Sequence, residues 1–266
     1  MRVILEFCID SLESAQSIKE CLPLDGDFRL EVCSNLTSGG GLTPSMGLFR
    51  RIKAVLPGIP LMIMIRPRSG SFVYSDAEID TMLGDIEAFR EEGGAKGFVF
   101  GCLTPEGTVD VRNTKRLVKA CDGYDVTFHR AFDVTPDPIK AYETIAFIPG
   151  ITRILTSGHA RSALEGVNTL CKLTELTQSS SRDPQRPITI LPASGISHLN
   201  LATLQEALPQ TTEFHASCSG AWRPDTEDMT LSFERGESMG FGLDEWKMDK
   251  TKLVGLWKVA NDDKLE

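Results

Sequence analysis

The chain has 266 residues and a formal net charge of −9, which argues against a nucleic-acid surface, since phosphate neutralisation needs clustered Lys and Arg. Its 41% apolar and 24% charged residues suit a water-exposed globular protein with a sizeable core. No apolar run approaches the length of a membrane span.

The first apolar run breaks at Glu6, too early for a signal peptide. Seven cysteines, at positions 8, 21, 33, 102, 121, 171 and 218, include no Cys-x-x-Cys pair. They read as reduced thiols, not as a disulfide framework or zinc finger, and the expected location is cytoplasmic.

Eight short β-rich runs begin near Val3, Phe28, Leu61, Gly97, Asp125, Thr152, Ile188 and Glu213. Helical periodicity lies between them, at Leu12–Cys21, Met46–Val55, Asp76–Glu92, Val111–Cys121 and Pro138–Ile148. Several of these segments open with helix-start chemistry. Ser75 precedes Asp76 and Glu78, Asp137 precedes Pro138, and Ser162 stands three before Glu165. Eight alternating units predict an α/β fold, a single (β/α)₈ TIM barrel with a parallel eight-stranded sheet, forming one domain over residues 1–266. A doubly wound open sheet is disfavoured, because strand one runs into Cys8-Ile9-Asp10-Ser11 without the glycine-rich turn such folds use. Gln178–Pro187 reads as a solvated loop. Gly220–Gly242, with Trp222, Phe233 and Phe241, reads as an irregular lid or packing arm before a closing helix over Leu243–Val259.

In a barrel, alternate strand residues fill the interior, and those near the C-terminal strand ends form the site. Polar residues two apart recur at those ends: Glu6 and Cys8, Glu31 and Cys33, Arg66 and Arg68, Thr127 and His129, then Glu213, His215 and Ser217. The densest run is Val126–Asp133, where His129, Arg130 and Asp133 follow a buried strand. Glu6 and Glu31 are expected to face Arg66 and Arg68, in part as a buried salt-bridge network.

A catalytic division of labour follows from these types. His129 or His215 would shuttle a proton, with Glu31 or Glu6 as partner base or orienting group. Arg66 and Arg68, with Ser194, Gly195 and Ser217 at the ends of strands seven and eight, would bind an anionic substrate. That chemistry suits a lyase or isomerase acting on a small phosphorylated or carboxylated metabolite. No organic-cofactor motif is present. A metal reading competes: Cys8 and Cys33 lie on adjacent strands at one level, and two thiolates suit Cu(I), although free cysteine also packs as a small hydrophobe.

These residues carry a family resemblance. Leu5-Glu6-Phe7-Cys8, Arg29-Leu30-Glu31-Val32-Cys33, Gly40-Gly41-Leu42-Thr43-Pro44-Ser45, Ile65-Arg66-Pro67-Arg68, Tyr74-Ser75-Asp76, Val126–Asp133, Leu155-Thr156-Ser157-Gly158 and Glu213-Phe214-His215 together resemble the CutC family, named for copper homeostasis. The resemblance implies a cytoplasmic (β/α)₈ barrel that self-associates into a homo-oligomer, a copper-homeostasis role, and Cys8 and Cys33 as Cu(I) ligands. Two loop positions depart from the family pattern. Gly39 stands where an acidic residue is usual before the Gly-Gly-Leu-Thr-Pro-Ser run, and Ser71 where the family has Asp.

Overall fold

A computed structural model describes residues 3–179, 188–222, 238–239 and 245–261. Eight strands form one parallel sheet: β1 (Ile4–Ile9), β2 (Phe28–Val32), β3 (Leu61–Met64), β4 (Gly97–Phe100), β5 (Asp125–Phe128), β6 (Ile151–Thr156), β7 (Thr189–Pro192) and β8 (Glu213–Ala216). Each starts within one residue of its expected position. Ladder pairing runs in the order β7-β6-β5-β4-β3-β2-β1-β8, and β7 packs beside β8 at the remaining seam. The expected TIM-barrel-like α/β fold is therefore present, closed except for that seam.

The strand period of two sorts every strand into an outer and an inner row. Phe7, Leu30, Ile63, Phe98, Phe128 and Phe214 are fully buried in the main apolar cluster with helix residues such as Ile18, Phe49, Ile86 and Leu117. Each large side chain so buried contributes about 1.5–3 kcal/mol. The inner row is mostly polar. The register pairs Glu6 with both Arg29 and His215, Cys8 with Glu31, and Thr127 with Arg153. Gly97 leaves that row room: a Cβ there would lie 2.3 Å from the Asp125 carbonyl oxygen and 2.7 Å from Met62 Cε.

The helix boundaries follow local chemistry. Leu12–Cys21, Met46–Val55 and Asp76–Glu92 match the periodicity, whereas two others stop short of expectation, at Ala120 and Ala146. Ser75 and Glu78 form a reciprocal capping box, and Asp137 caps the helix that Pro138 opens. Ser162 accepts a bond from Glu165 N at 3.3 Å, but the helix there starts only at Val167.

The C-terminal expectation needs correction. Instead of one helix over Leu243–Val259, β10 (Glu245–Met248) pairs antiparallel with β9 (Ser219–Trp222), and a helix follows over Lys250–Ala260. Asp249 sets the boundary, because its carboxylate accepts from Thr251 N and Lys252 N and so caps the helix there. Phe233 and Phe241, and residues 180–187 of the expected loop, lie outside the described residues. Among the described residues no helix is long and apolar enough to cross a membrane.

Candidate functional site at the barrel mouth

The lower barrel interior holds a network of charges. Arg29 Nε donates to Glu6, and its Nη2 donates to Glu213 at 2.7 Å. Arg153 bridges Glu213 at 2.8 Å and Asp125 at 3.3 Å. Burial opposes ionisation of Arg29, yet Glu6 and Glu213 push its pKa further above the ordinary arginine value. A buried network was expected, but its cations are Arg29 and Arg153, not Arg66 and Arg68. Strand parity puts Arg29 on the inner face with Glu31, two residues away.

Above this layer, Glu6 reaches up to His215, whose Nδ1 lies 2.7 Å from Glu6 Oε1. Burial works against ionisation of Glu6, but Arg29 first and His215 next hold its carboxyl down at about 2. Burial likewise opposes protonation of His215, but Cys8 and then Glu31 draw its pKa well above the ordinary imidazole value. Glu31 goes the other way, since burial raises its carboxyl. His215 Nε2 stands 4.0 Å from Glu31 Oε2.

Cys8, Glu31 and His215 each place one ligand atom within 4.8 Å of the others. Cys33 sits beside this group rather than in it. Its thiol donates to Glu31 Oε2 at 3.4 Å, it is enclosed with Met62, Met64, Val99 and Leu36, and burial raises its pKa well above the usual thiol range. Cys8, Glu31, Met64 and His215 line a cavity of about 440 Å³ at the C-terminal ends of the strands, and Cys33 does not.

The other expected residues divide. Arg66, His129, Ser194, Gly195 and Ser217 line the same cavity. Arg68 is not among its lining residues: it pairs with Glu78 and donates to the carbonyls of Ser71 and Val73, each at 2.8 Å. Arg66 Nη1 donates to the Gly39 carbonyl at 2.6 Å. At both positions that depart from the family pattern, Gly39 and Ser71, the backbone oxygen thus meets an arginine. Ser194 has a positive φ of 77° and donates from Oγ to the Arg161 carbonyl at 2.8 Å.

His129 caps a short 3₁₀ turn, Arg130–Val134, and its Nδ1 accepts the Ala131 N–H at 3.2 Å. The ring proton is therefore on Nε2, which has no hydrogen-bond partner. Burial, then the nearby Arg66 charge, pushes the imidazole down to about 3. A neutral His129 presents Nε2–H as a donor. Its folded pKa is depressed, so the stability it contributes is present above 6.5 and lost as pH falls towards about 3. A His129→Gln variant should show a smaller drop in urea midpoint across that window than the parent protein; an equal drop would place the acid sensitivity elsewhere.

Asp133, the last residue of the dense run, holds the turn together. Its carboxylate accepts from Thr156 Oγ1, Ser157 N, Ser157 Oγ and His159 N, and pairs with Arg130 at 2.8 Å. The run Thr156-Ser157-Gly158 supplies most of the donors, so the two motifs lock β5 to β6.

The model of the CutC family matches residues 3–220. The copper homeostasis protein cutC homolog of Homo sapiens is 41% identical over 265 residues, covering 97% of this chain and 89% of its own. A CutC family protein of Agrobacterium fabrum is 41% identical over 233 residues, covering 87% and 86%. The CutC crystal structure from Streptococcus agalactiae superposes with a TM-score of 0.70 at 30% identity, over 80% of this chain and 97% of that one. With a family model spanning most of its length and relatives of this similarity, the chain belongs to the CutC family.

Proposed function

We propose that this protein binds Cu(I) in cytoplasmic copper homeostasis, and that it does so on the barrel floor with Cys8 and His215 as principal ligands. The observation that carries the reading is the convergence of a sulfur, an imidazole nitrogen and a carboxylate oxygen within 4.8 Å. The donor set fits the ion. Thiolate and imidazole suit copper, and Cu(I) is the soft form a reducing compartment maintains. The bond from His215 Nδ1 to Glu6 fixes the ring, and Nε2 ligates once the incoming ion displaces its proton, the usual arrangement of a metal-bound histidine with a carboxylate behind it.

Glu31 supplies a third donor, and its Oε1 is a buried oxygen with no hydrogen-bond partner. Cys33 borders the site through Glu31 and serves as a reserve thiol, in place of the paired role with Cys8 that the family resemblance implied. At the ligand cluster itself Glu6 and Glu213 neutralise Arg29, and Arg68 is turned to Glu78, while Arg66 lines the same cavity and is bound to backbone carbonyls. Anaerobic titration of the reduced protein with Cu(I) against a competing chelator tests the reading. Saturation at one ion per chain is expected; no retention against the chelator would remove copper binding from the account of this fold.

A further inference from the structure

Arg66 presents a charge problem that the copper site does not solve. Its side chain is buried beside the Tyr74 hydroxyl, and its terminal nitrogens donate to backbone carbonyls, Nη1 to Gly39, Gly40 and Gly41 and Nη2 to Gly70 at 3.0 Å. Among the described residues no carboxylate lies within ion-pairing distance of it, whereas Arg29, Arg68, Arg130 and Arg153 each reach one. Carbonyl dipoles soften an uncompensated buried cation but supply no net charge, and such a cation is strongly unfavourable. Its Nε–H also lacks a hydrogen-bond partner.

His129 offers a second donor of the same kind, the unpartnered Nε2–H. Both side chains pack on Phe72, the guanidinium carbon 4.8 Å from the ring centre and the imidazole 4.9 Å centre to centre. Both line the 440 Å³ cavity, which is large enough for a small metabolite. Two unpartnered N–H groups on residues that line one cavity, one of them on an unbalanced cation, match an acceptor that carries negative charge. A neutral hydroxyl or amide would satisfy the donors and leave the charge standing.

We propose that the cavity binds a small organic oxyanion, a carboxylate or phosphate ester, whose charged group is held by Arg66 Nε and His129 Nε2. The proposal uses residues distinct from the copper ligands and does not rest on them, although both sets face one cavity. Arg68 has no part in it.

The test uses copper-free, full-length protein with inorganic phosphate and malonate as probes. Calorimetric titration is paired with NMR of ¹⁵N-labelled histidine. The expected result is saturable binding of at least one probe, with a shift of the His129 Nε2–H resonance. His129→Phe should weaken binding roughly tenfold or more, the usual loss for a hydrogen bond to a charged group. Arg66→Lys, which keeps the charge but not the guanidinium N–H, should weaken it similarly. If Arg66→Lys fails to fold, His129→Phe and the resonance shift decide. A preference between the probes separates a phosphate ester from a carboxylate. No saturable binding of either probe, or binding unchanged in His129→Phe, would overturn the proposal.

Discussion

Replacing Glu6 with glutamine is expected to destabilise the protein by about 3–5 kcal/mol, the range for leaving a buried charge without its partner. Glu6 is fully buried and is the shared anion of two cations, Arg29 below and His215 above. Glutamine keeps the volume and can accept one hydrogen bond, but it balances neither charge. Arg29 would retain only Glu213, which Arg153 also uses. The pH dependence carries the same signature. Glu6 is held at about 2 in the folded protein against 4.5 for the free group. Its contribution is therefore present above 4.5 and lost as pH falls towards about 2. Urea denaturation of both proteins across that window checks both statements. The parent should lose stability there more steeply than Glu6→Gln, and equal stability at neutral pH would show that the inner charge layer is dispensable.

The second large effect concerns copper. Cys8→Ser is expected to lower Cu(I) affinity more than about 100-fold, beyond the range seen when only the group behind a ligand is lost. His215→Gln should do nearly as much, since it removes the nitrogen donor that Glu6 orients. Cys33→Ser should cost less than about tenfold, because Cys33 is walled in by Met62, Met64 and Val99 and its thiol is bonded to Glu31. Competition titrations under anaerobic conditions give this ranking directly. An equal loss in Cys8→Ser and Cys33→Ser would restore the two-thiolate pair and demote His215 to a structural cation.

The barrel was legible because strand period and helix caps act locally. A run such as Phe28–Val32 is apolar on its outer face whatever surrounds it, and Ser75 with Glu78 caps a helix by contacts three residues apart. The C-terminal helix was misplaced where a non-local contact decided the matter. Glu245–Met248 is a strand because Ser219–Trp222 pairs with it across more than twenty residues. The inward-facing row was legible as a set, since parity alone puts Glu6, Cys8, Glu31, Thr127, His129 and His215 inside.

Their partners were not. Glu6 and Arg29 meet across β1 and β2, and Glu213 and Arg153 meet across the barrel interior, through inter-strand register and tilt that sequence spacing does not encode. The same limit hid the difference between two adjacent thiols. Cys8 and Cys33 share a level in the sequence pattern, yet one borders the cavity and the other is enclosed. Nor does strand parity encode the turn after His129, which brings the Ala131 N–H onto Nδ1 and fixes the ring proton on Nε2.

X-ray absorption at the copper edge, on Cu(I)-loaded parent protein beside His215→Gln, tests the central claim most directly. The expected spectrum of the parent combines sulfur scattering with the multiple-scattering pattern of one imidazole, and the imidazole pattern disappears in His215→Gln. A sulfur-only environment in the parent, unchanged by the substitution, would contradict a site built on Cys8 and His215.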